Sequence, residues 1–242
     1  MFPRYQTQGF ILKTEDRGEA NQILTIFAKD FGKLEILAKA IRKIKSKLRG
    51  GTREFCLSEI EFIQGKTYKT LTDASLIENF NNLRKDLRRL KIAYQIAELL
   101  DNLIKGQEKD EKIWDLLNEI FEKLNNPQLP ITSCQLLYYY FLWNFLSILG
   151  YKLQLYSCPI CQKKLSPEKL YFSPKEGGVV DFNCFRKVKN GQKIETDVIK
   201  ILRIFLKKDW LTLSKLKIET LNKKLLKSIS QNYLLYVFGE TR

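Results

Sequence analysis

The 242-residue sequence contains no histidine. Imidazole-based triads and histidine metal sites are therefore excluded, because no other side chain supplies a neutral base and metal ligand of that kind. Two phosphate-cradling patterns are missing as well: no GxxxxGK[ST] loop, and no GxGxxG following a strand. The carboxylates are scattered rather than clustered as two-metal chemistry requires. Catalysis has little to work with here, and the chain is expected to bind rather than to react.

Long apolar runs are also scarce. The longest, 136–151, is interrupted by Asn144 and Ser147, and it falls short of the roughly 20 residues that cross a bilayer. It reads as a buried core helix, and no membrane segment is expected. The opening "MFPRYQTQGFILK" lacks the basic start and apolar stretch of a secretory signal. Five cysteines, an odd number, then point to a reducing, cytoplasmic setting. In such a setting a Cys-x-x-Cys pair is a metal-site signal before it is a disulfide signal.

Acidic residues are few beside basic ones: 27 Asp and Glu against 42 Lys and Arg, a formal net charge of +15. Residues 1–80 carry 14 basic and 10 acidic residues, and residues 185–242 carry 14 and 5. Their net charges, +4 and +9, leave only +2 for the 104 residues between them. An excess of this size suggests a polyanionic partner.

The periodicity changes near residue 80. Before it, "GFILKTED", "NQILTIFAKDFGKLEILAKA" and "EFCLSEIEFIQGKTYKTLTDASLI" alternate as strands around turns at Asp30-Phe31-Gly32 and Gln64-Gly65-Lys66. In "CLSEIEFI" the period of two slips, as a bulge would make it. Five short strands suggest a small closed barrel, since closure removes exposed edges. After residue 80, Leu83, Leu87, Leu90, Tyr94, Ala97 and Ile104 predict one amphipathic helix, and further helices are predicted over 110–124, 131–151, 196–210 and 221–238. The fold class is thus α+β, a five-stranded barrel followed by a helical domain with an inserted zinc-ribbon-like knuckle. The expected divisions are 1–79 for the barrel, 80–155 and 187–242 for the helical domain, and 156–186 for the knuckle.

Three groups of residues invite a functional reading. The stretch 38–53 has seven cations (Lys39, Arg42, Lys43, Lys45, Lys47, Arg49 and Arg53), no acid, and a flexible end at Gly50-Gly51. As a loop between barrel strands it can track a phosphate backbone, with Phe10, Phe27 and Phe31 as candidate base-stackers. A solvated loop and core-packed aromatics are the plainer alternatives. Lys200, Arg203 and Lys207 recur at i, i+3 and i+7, one face of a helix; an ordinary solvated face has the same spacing. Cys158 and Cys161 form half of a zinc-ribbon pattern, but only Cys184 follows, with Asp181 three positions earlier. Three thiolates and a carboxylate can complete a tetrahedron. A metal-free knuckle packed around Tyr156, Leu165, Tyr171 and Phe172 is the other reading. Cys56 and Cys134 read as small buried hydrophobes.

The order of these features resembles the bacterial recombination mediator family RecO. The resemblance lies in the Gly18-Glu19 turn, the Gly32-Lys33-Leu34 hairpin and the Ala38-Lys39-Ala40-Ile41-Arg42 loop, with Ala40 at the family's usual glycine. It continues through Ile148-Leu149-Gly150-Tyr151, Cys158, Cys161, Tyr171-Phe172-Ser173-Pro174 and Gly177-Gly178. It implies an OB-fold, a helical domain and a zinc module whose four-cysteine pattern carries Asp181 at one position here. It further implies binding of single- and double-stranded DNA and annealing of complementary strands. With RecR, such a protein promotes RecA loading on DNA coated by the single-strand DNA-binding protein, in the cytoplasm at the nucleoid. Retention of three thiols argues for a zinc site with Asp181 as fourth ligand, a module contributing more to stability than to DNA contact. The alternatives are an OB-fold RNA-binding or ribosome-associated factor, and a repair scaffold that does not bind DNA.

Overall fold

The computed structural model describes residues 3–240. Five strands, β1 (Arg4–Arg17), β2 (Asn21–Ala28), β3 (Gly32–Ala38), β4 (Leu57–Gln64) and β5 (Lys69–Glu78), close into a barrel in the order β1-β2-β3-β5-β4. Every pairing is antiparallel except β3 with β5. The 14-residue β1 closes the barrel by pairing with both β2 and β4. A register shift between Ile11 and Lys13 breaks its alternation, so Phe10, Ile11 and Leu12 are all buried. Ile11 joins the barrel interior with Leu24, Ile26, Leu34, Ile36, Ile60 and Phe62. Phe10 turns to the other side, 5.2 Å from Trp114 and 5.0 Å from Phe121 between ring centres. The expected slip in β4 is present as well, with register shifts at Leu57/Ser58 and Glu61/Phe62.

The β2–β3 hairpin has a local cause. A β-carbon on Gly32 would lie 2.2 Å from the Glu108 carbonyl oxygen, and its φ is +64°. Only glycine satisfies both conditions. Beside it, Lys33 Nζ donates to the Asp101 carbonyl (2.6 Å) and carboxylate (3.1 Å).

The single helix predicted over 82–104 is two helices, α1 (Asn81–Lys85) and α2 (Leu87–Leu103). Asp86 lies between them in an extended conformation and caps α2, accepting from the Arg88 and Arg89 backbone N–H groups. The restart rotates the buried face. It comprises Arg89, Ile92, Ala93, Ile96, Ala97, Leu99 and Leu100, while Leu87 and Tyr94 of the predicted stripe are exposed. Arg89 is 4% exposed, and its guanidinium donates to the Leu124, Asn126 and Leu129 carbonyls at the end of α3 (Glu111–Asn125). Unsatisfied helix-end carbonyls compensate this buried cation.

α4 (Ile131–Ile148) follows. The chain divides into two compact units, one ending at Gln135 and the next beginning at Leu136. The second unit contains β6 (Leu170–Ser173), β7 (Gly178–Asp181), α5 (Phe182–Val188), β8 (Gln192–Ile194), α6 (Thr196–Leu206), α7 (Trp210–Lys215) and α8 (Thr220–Glu240). Its three strands form a sheet in the order β7-β6-β8. Asn144, which interrupts the apolar run, is buried but satisfied: its amide donates to the Tyr140 and Phe205 carbonyls. Among the described residues no helix is long and apolar enough to cross a membrane. The segment predicted as one helix over 196–210 ends at Leu206. Lys208 takes a φ of +57°, and Asp209 caps α7, accepting from the Thr212 N–H.

Candidate nucleic-acid interface and metal centre

The 38–53 segment is anchored rather than loose. Ile41 is buried, Leu48 packs against the barrel interior, and Thr52 Oγ1 donates to the Leu48 carbonyl at 2.9 Å. Lys47–Gly51 forms a turn of 3₁₀ helix. The flexibility expected of Gly50-Gly51 is corrected at Gly51, which is buried; a β-carbon there would lie 2.4 Å from the Ala74 carbonyl oxygen. All seven cations of the segment are exposed. Arg42, Arg49 and Arg53 converge on one polar cleft with Thr14, Gln22, Thr52 and two acids, Asp16 and Glu54, and Lys39, Lys43, Lys45 and Lys47 extend from the same loop. Arg42 is oriented by Asp16 (3.1 Å) and by the Gly18 carbonyl.

Phe10 and Phe27 are buried in the barrel unit, and Phe31 packs edge-on against Tyr5 and Phe62. The first two therefore cannot stack on a base. Tyr68 occupies the position that sequence reasoning missed. It is 45% exposed in the β4–β5 turn, with the Arg17 guanidinium 4.4 Å from its ring centre and donating to its hydroxyl at 2.7 Å. Arg17 ends β1, so this pair links the two turns that carry ligands in OB-like barrels. The available signal was an aromatic flanked by Lys66 and Lys69 in a turn.

The three cations of the C-terminal stripe differ in their surroundings. Lys200 is paired with Asp197 at 2.9 Å. Arg203 Nε donates to the Leu155 carbonyl at 3.1 Å, and its guanidinium covers the Tyr156 ring at 4.4 Å. Lys207 is exposed at the end of α6. Helical spacing placed these three together, but Arg203 is engaged in holding the knuckle's edge.

The knuckle brings Cys158, Cys161, Asp181 and Cys184 together, with all four ligand atoms within 4.8 Å of one another. The first pair sits in a tight turn in which Gln162 N–H donates to the Cys158 carbonyl and Gln162 takes a φ of +63°. Asp181 ends β7 and caps α5: Oδ1 accepts from the Cys184 N–H at 2.9 Å, and Oδ2 accepts from Cys161 Sγ at 3.1 Å. Ligand bonds of about 2.0–2.3 Å set ligand–ligand separations of about 3.5–3.8 Å in a tetrahedron, a small contraction from this cluster. Burial raises the Asp181 pKa, but the Cys184 N–H and the three thiols outweigh it and hold the carboxyl well below its usual range. Burial, then Cys161, Cys158 and Asp181, push the Cys184 thiol up to about 12. The donor set suits a divalent cation, which would ionise Cys161 and Cys184, whose thiols the Asp181 hydrogen bond and burial respectively push up.

The packed cluster around these thiols contains Val180, Leu165, Tyr171 and Phe185. Of the four residues expected to pack the knuckle, Tyr156 is instead 55% exposed and Phe172 lies against Trp143 and Tyr233. Cys56 and Cys134 are buried as expected.

Two family models match the chain: "Recombination protein O N terminal" over residues 1–80 and "Recombination protein O C terminal" over residues 84–242. The chain belongs to the RecO family. DNA repair protein RecO of Dehalococcoides mccartyi is 33% identical over 214 residues, covering 88% of this chain and 83% of that protein. The same-named protein of a Thermoanaerobacter species is 29% identical over 233 residues, covering 95% and 90%. Membership places the chain among DNA repair and recombination proteins, and the OB-like barrel and helical domain are the architecture on which its function has to be built.

Proposed function

We propose that this chain is a non-catalytic recombination mediator that binds single- and double-stranded DNA and anneals complementary strands. The observation that carries this reading is the convergence of Arg42, Arg49 and Arg53 on one cleft of an OB-like barrel, with four further exposed lysines on the same anchored loop. Guanidinium groups hold phosphates by charge and paired hydrogen bonds, and sequence plays no part in that contact. Bases of the bound strand stay open to pairing, and Tyr68 offers a ring on which one can stack. Neutralising two strands on one chain raises their effective concentration and lowers their mutual repulsion.

Family membership supports partners as well: RecR, the single-strand DNA-binding protein, and through them RecA. The reading includes a structural zinc ion held by Cys158, Cys161, Asp181 and Cys184, whose chemistry is to tie β7 and α5 to the Cys158–Cys161 turn. The deciding test is annealing of two complementary oligonucleotides, one coated with the single-strand DNA-binding protein, across a salt series. Fast annealing that weakens with salt is expected. Tight binding of structured RNA without annealing would indicate a ribosome-associated factor, and absence of both would indicate a scaffold; either result overturns the proposal.

A further inference from the structure

Annealing needs a place for a second strand, and on the α6 stripe Arg203 is held by the Leu155 carbonyl and Lys200 is paired with Asp197. The outer face of the knuckle has the necessary chemistry. Phe182 is 37% exposed at the start of α5, with Lys169 Nζ 5.5 Å and the Arg186 guanidinium 5.9 Å from its ring centre. Behind it Tyr171 and Phe185 lie parallel with ring centres 3.7 Å apart, and Tyr171 is 6.4 Å from Phe182. From Phe182 to Ile194 the chain carries Arg186, Lys187, Lys189 and Lys193 and no acid. Glu168 and Glu195 line the same depression beside Phe182 and Lys169, and Glu195 is paired with Lys193 at 3.0 Å, so Lys169 and Arg186 are the cations that frame the ring.

We propose that this face, Phe182 framed by Lys169 and Arg186, is a second binding surface that favours single-stranded nucleic acid over duplex. An aromatic ring set among cations offers stacking to an unpaired base and neutralisation to its phosphates, a combination that tolerates any sequence. A duplex keeps its bases stacked on one another and gains only the charge contact. The role assigned to the surface, capturing the second strand, depends on the annealing activity proposed above; the binding itself does not.

The test uses the full chain with the barrel loop neutralised by Lys39→Gln, Arg42→Gln and Lys43→Gln, so that residual binding reports other surfaces. Fluorescence anisotropy with an oligothymidylate is compared with a duplex of equal length. Phe182→Ala is expected to lower the residual single-strand affinity at least about fivefold, the low end for one stacked base, and to leave duplex binding unchanged. Phe182→Tyr should retain the affinity. Lys169→Gln with Arg186→Gln, two exposed changes away from the thiol cluster, should weaken both ligands and flatten the salt dependence. Thermal unfolding of each variant separates lost folding from lost contact. In the unmodified loop background, a photoreactive oligonucleotide should cross-link to the peptide containing Phe182. Equal affinities for Phe182→Ala and its parent, or cross-links confined to the barrel, would overturn the surface while leaving the mediator reading intact. A wild-type chain that binds no nucleic acid would overturn both.

Discussion

Asp181 divides its two carboxylate oxygens between two tasks, accepting from the Cys184 backbone N–H with Oδ1 and from the Cys161 thiol with Oδ2. The cap fixes the direction in which the second oxygen points, so the ligand is aligned by the helix it starts. Asp181→Ala removes both and should lower zinc affinity at least about tenfold, the loss common even for groups that only support a ligand. Asp181→Asn retains a capping oxygen but no charge, and Asp181→Cys restores a four-thiolate set. Competition with a chromogenic chelator should therefore rank zinc affinity as Cys at or above Asp, Asp above Asn, and Asn above Ala. Equal affinity of Asp181→Ala and wild type would remove Asp181 from the ligand set. The meeting of these four side chains was legible in the sequence because the spacing within each pair, Cys158–Cys161 and Asp181–Cys184, is local. The role of Arg203 was not: its partners, Leu155 and Tyr156, lie 48 and 47 residues earlier, and spacing along one helix says nothing about them. Ala40 shows an intermediate case. Its φ of +53° explains why glycine suits that position, yet the backbone conformation was invisible until the Asn21 side chain could be placed against its N–H.

At the scale of elements, barrel strands were readable because alternation and turn residues are set by neighbours in sequence. Helix breaks at Asp86 and at Lys208-Asp209 were not, because each break joins two stretches that both satisfy a helical period. The 38–53 loop is the element on which the proposed activity depends most. Its anchors, Ile41, Leu48 and Gly51, are separate from its cations, so charge can be removed without loosening it. Replacing Lys39, Arg42 and Lys43 by glutamine should weaken single-strand binding for every sequence tested. With about 0.7 counterion released per phosphate contact on a single strand, the slope of log affinity against log salt should fall by about 2. Anisotropy titrations at four or five salt concentrations measure it. A slope that does not change would place the phosphate contacts on another element.

For the molecule as a whole, the missing histidine determines how the two proposed activities respond to acid. The proposed phosphate contacts use only lysine and arginine, whose ordinary pKa values lie far above neutrality, and no side chain of ordinary pKa titrates between about 5 and 8. Cys56, Cys134, Cys161 and Cys184 are all held above the usual thiol range, led by burial in three of them and by the Asp181 hydrogen bond in Cys161. DNA affinity at constant ionic strength should thus be flat from about pH 6.5 to 8.5. The metal behaves oppositely. Cys184 ionises in that range only with a cation beside it, so each zinc bound displaces up to three thiol protons, and falling pH returns them and drives the ion off. Asp181 does not share in this, since its carboxyl is already ionised well below the usual range. Below about pH 6.5 any loss of single-strand affinity should therefore follow zinc release, measured on the same samples with a chromogenic chelator, because the knuckle surface depends on the fold that the ion ties together. Duplex affinity, assigned mainly to the barrel loop in the proposed function, should fall less after the zinc has left. A titration centred near pH 7 with zinc still bound would require an ionisable contact that neither the loop nor the knuckle contains.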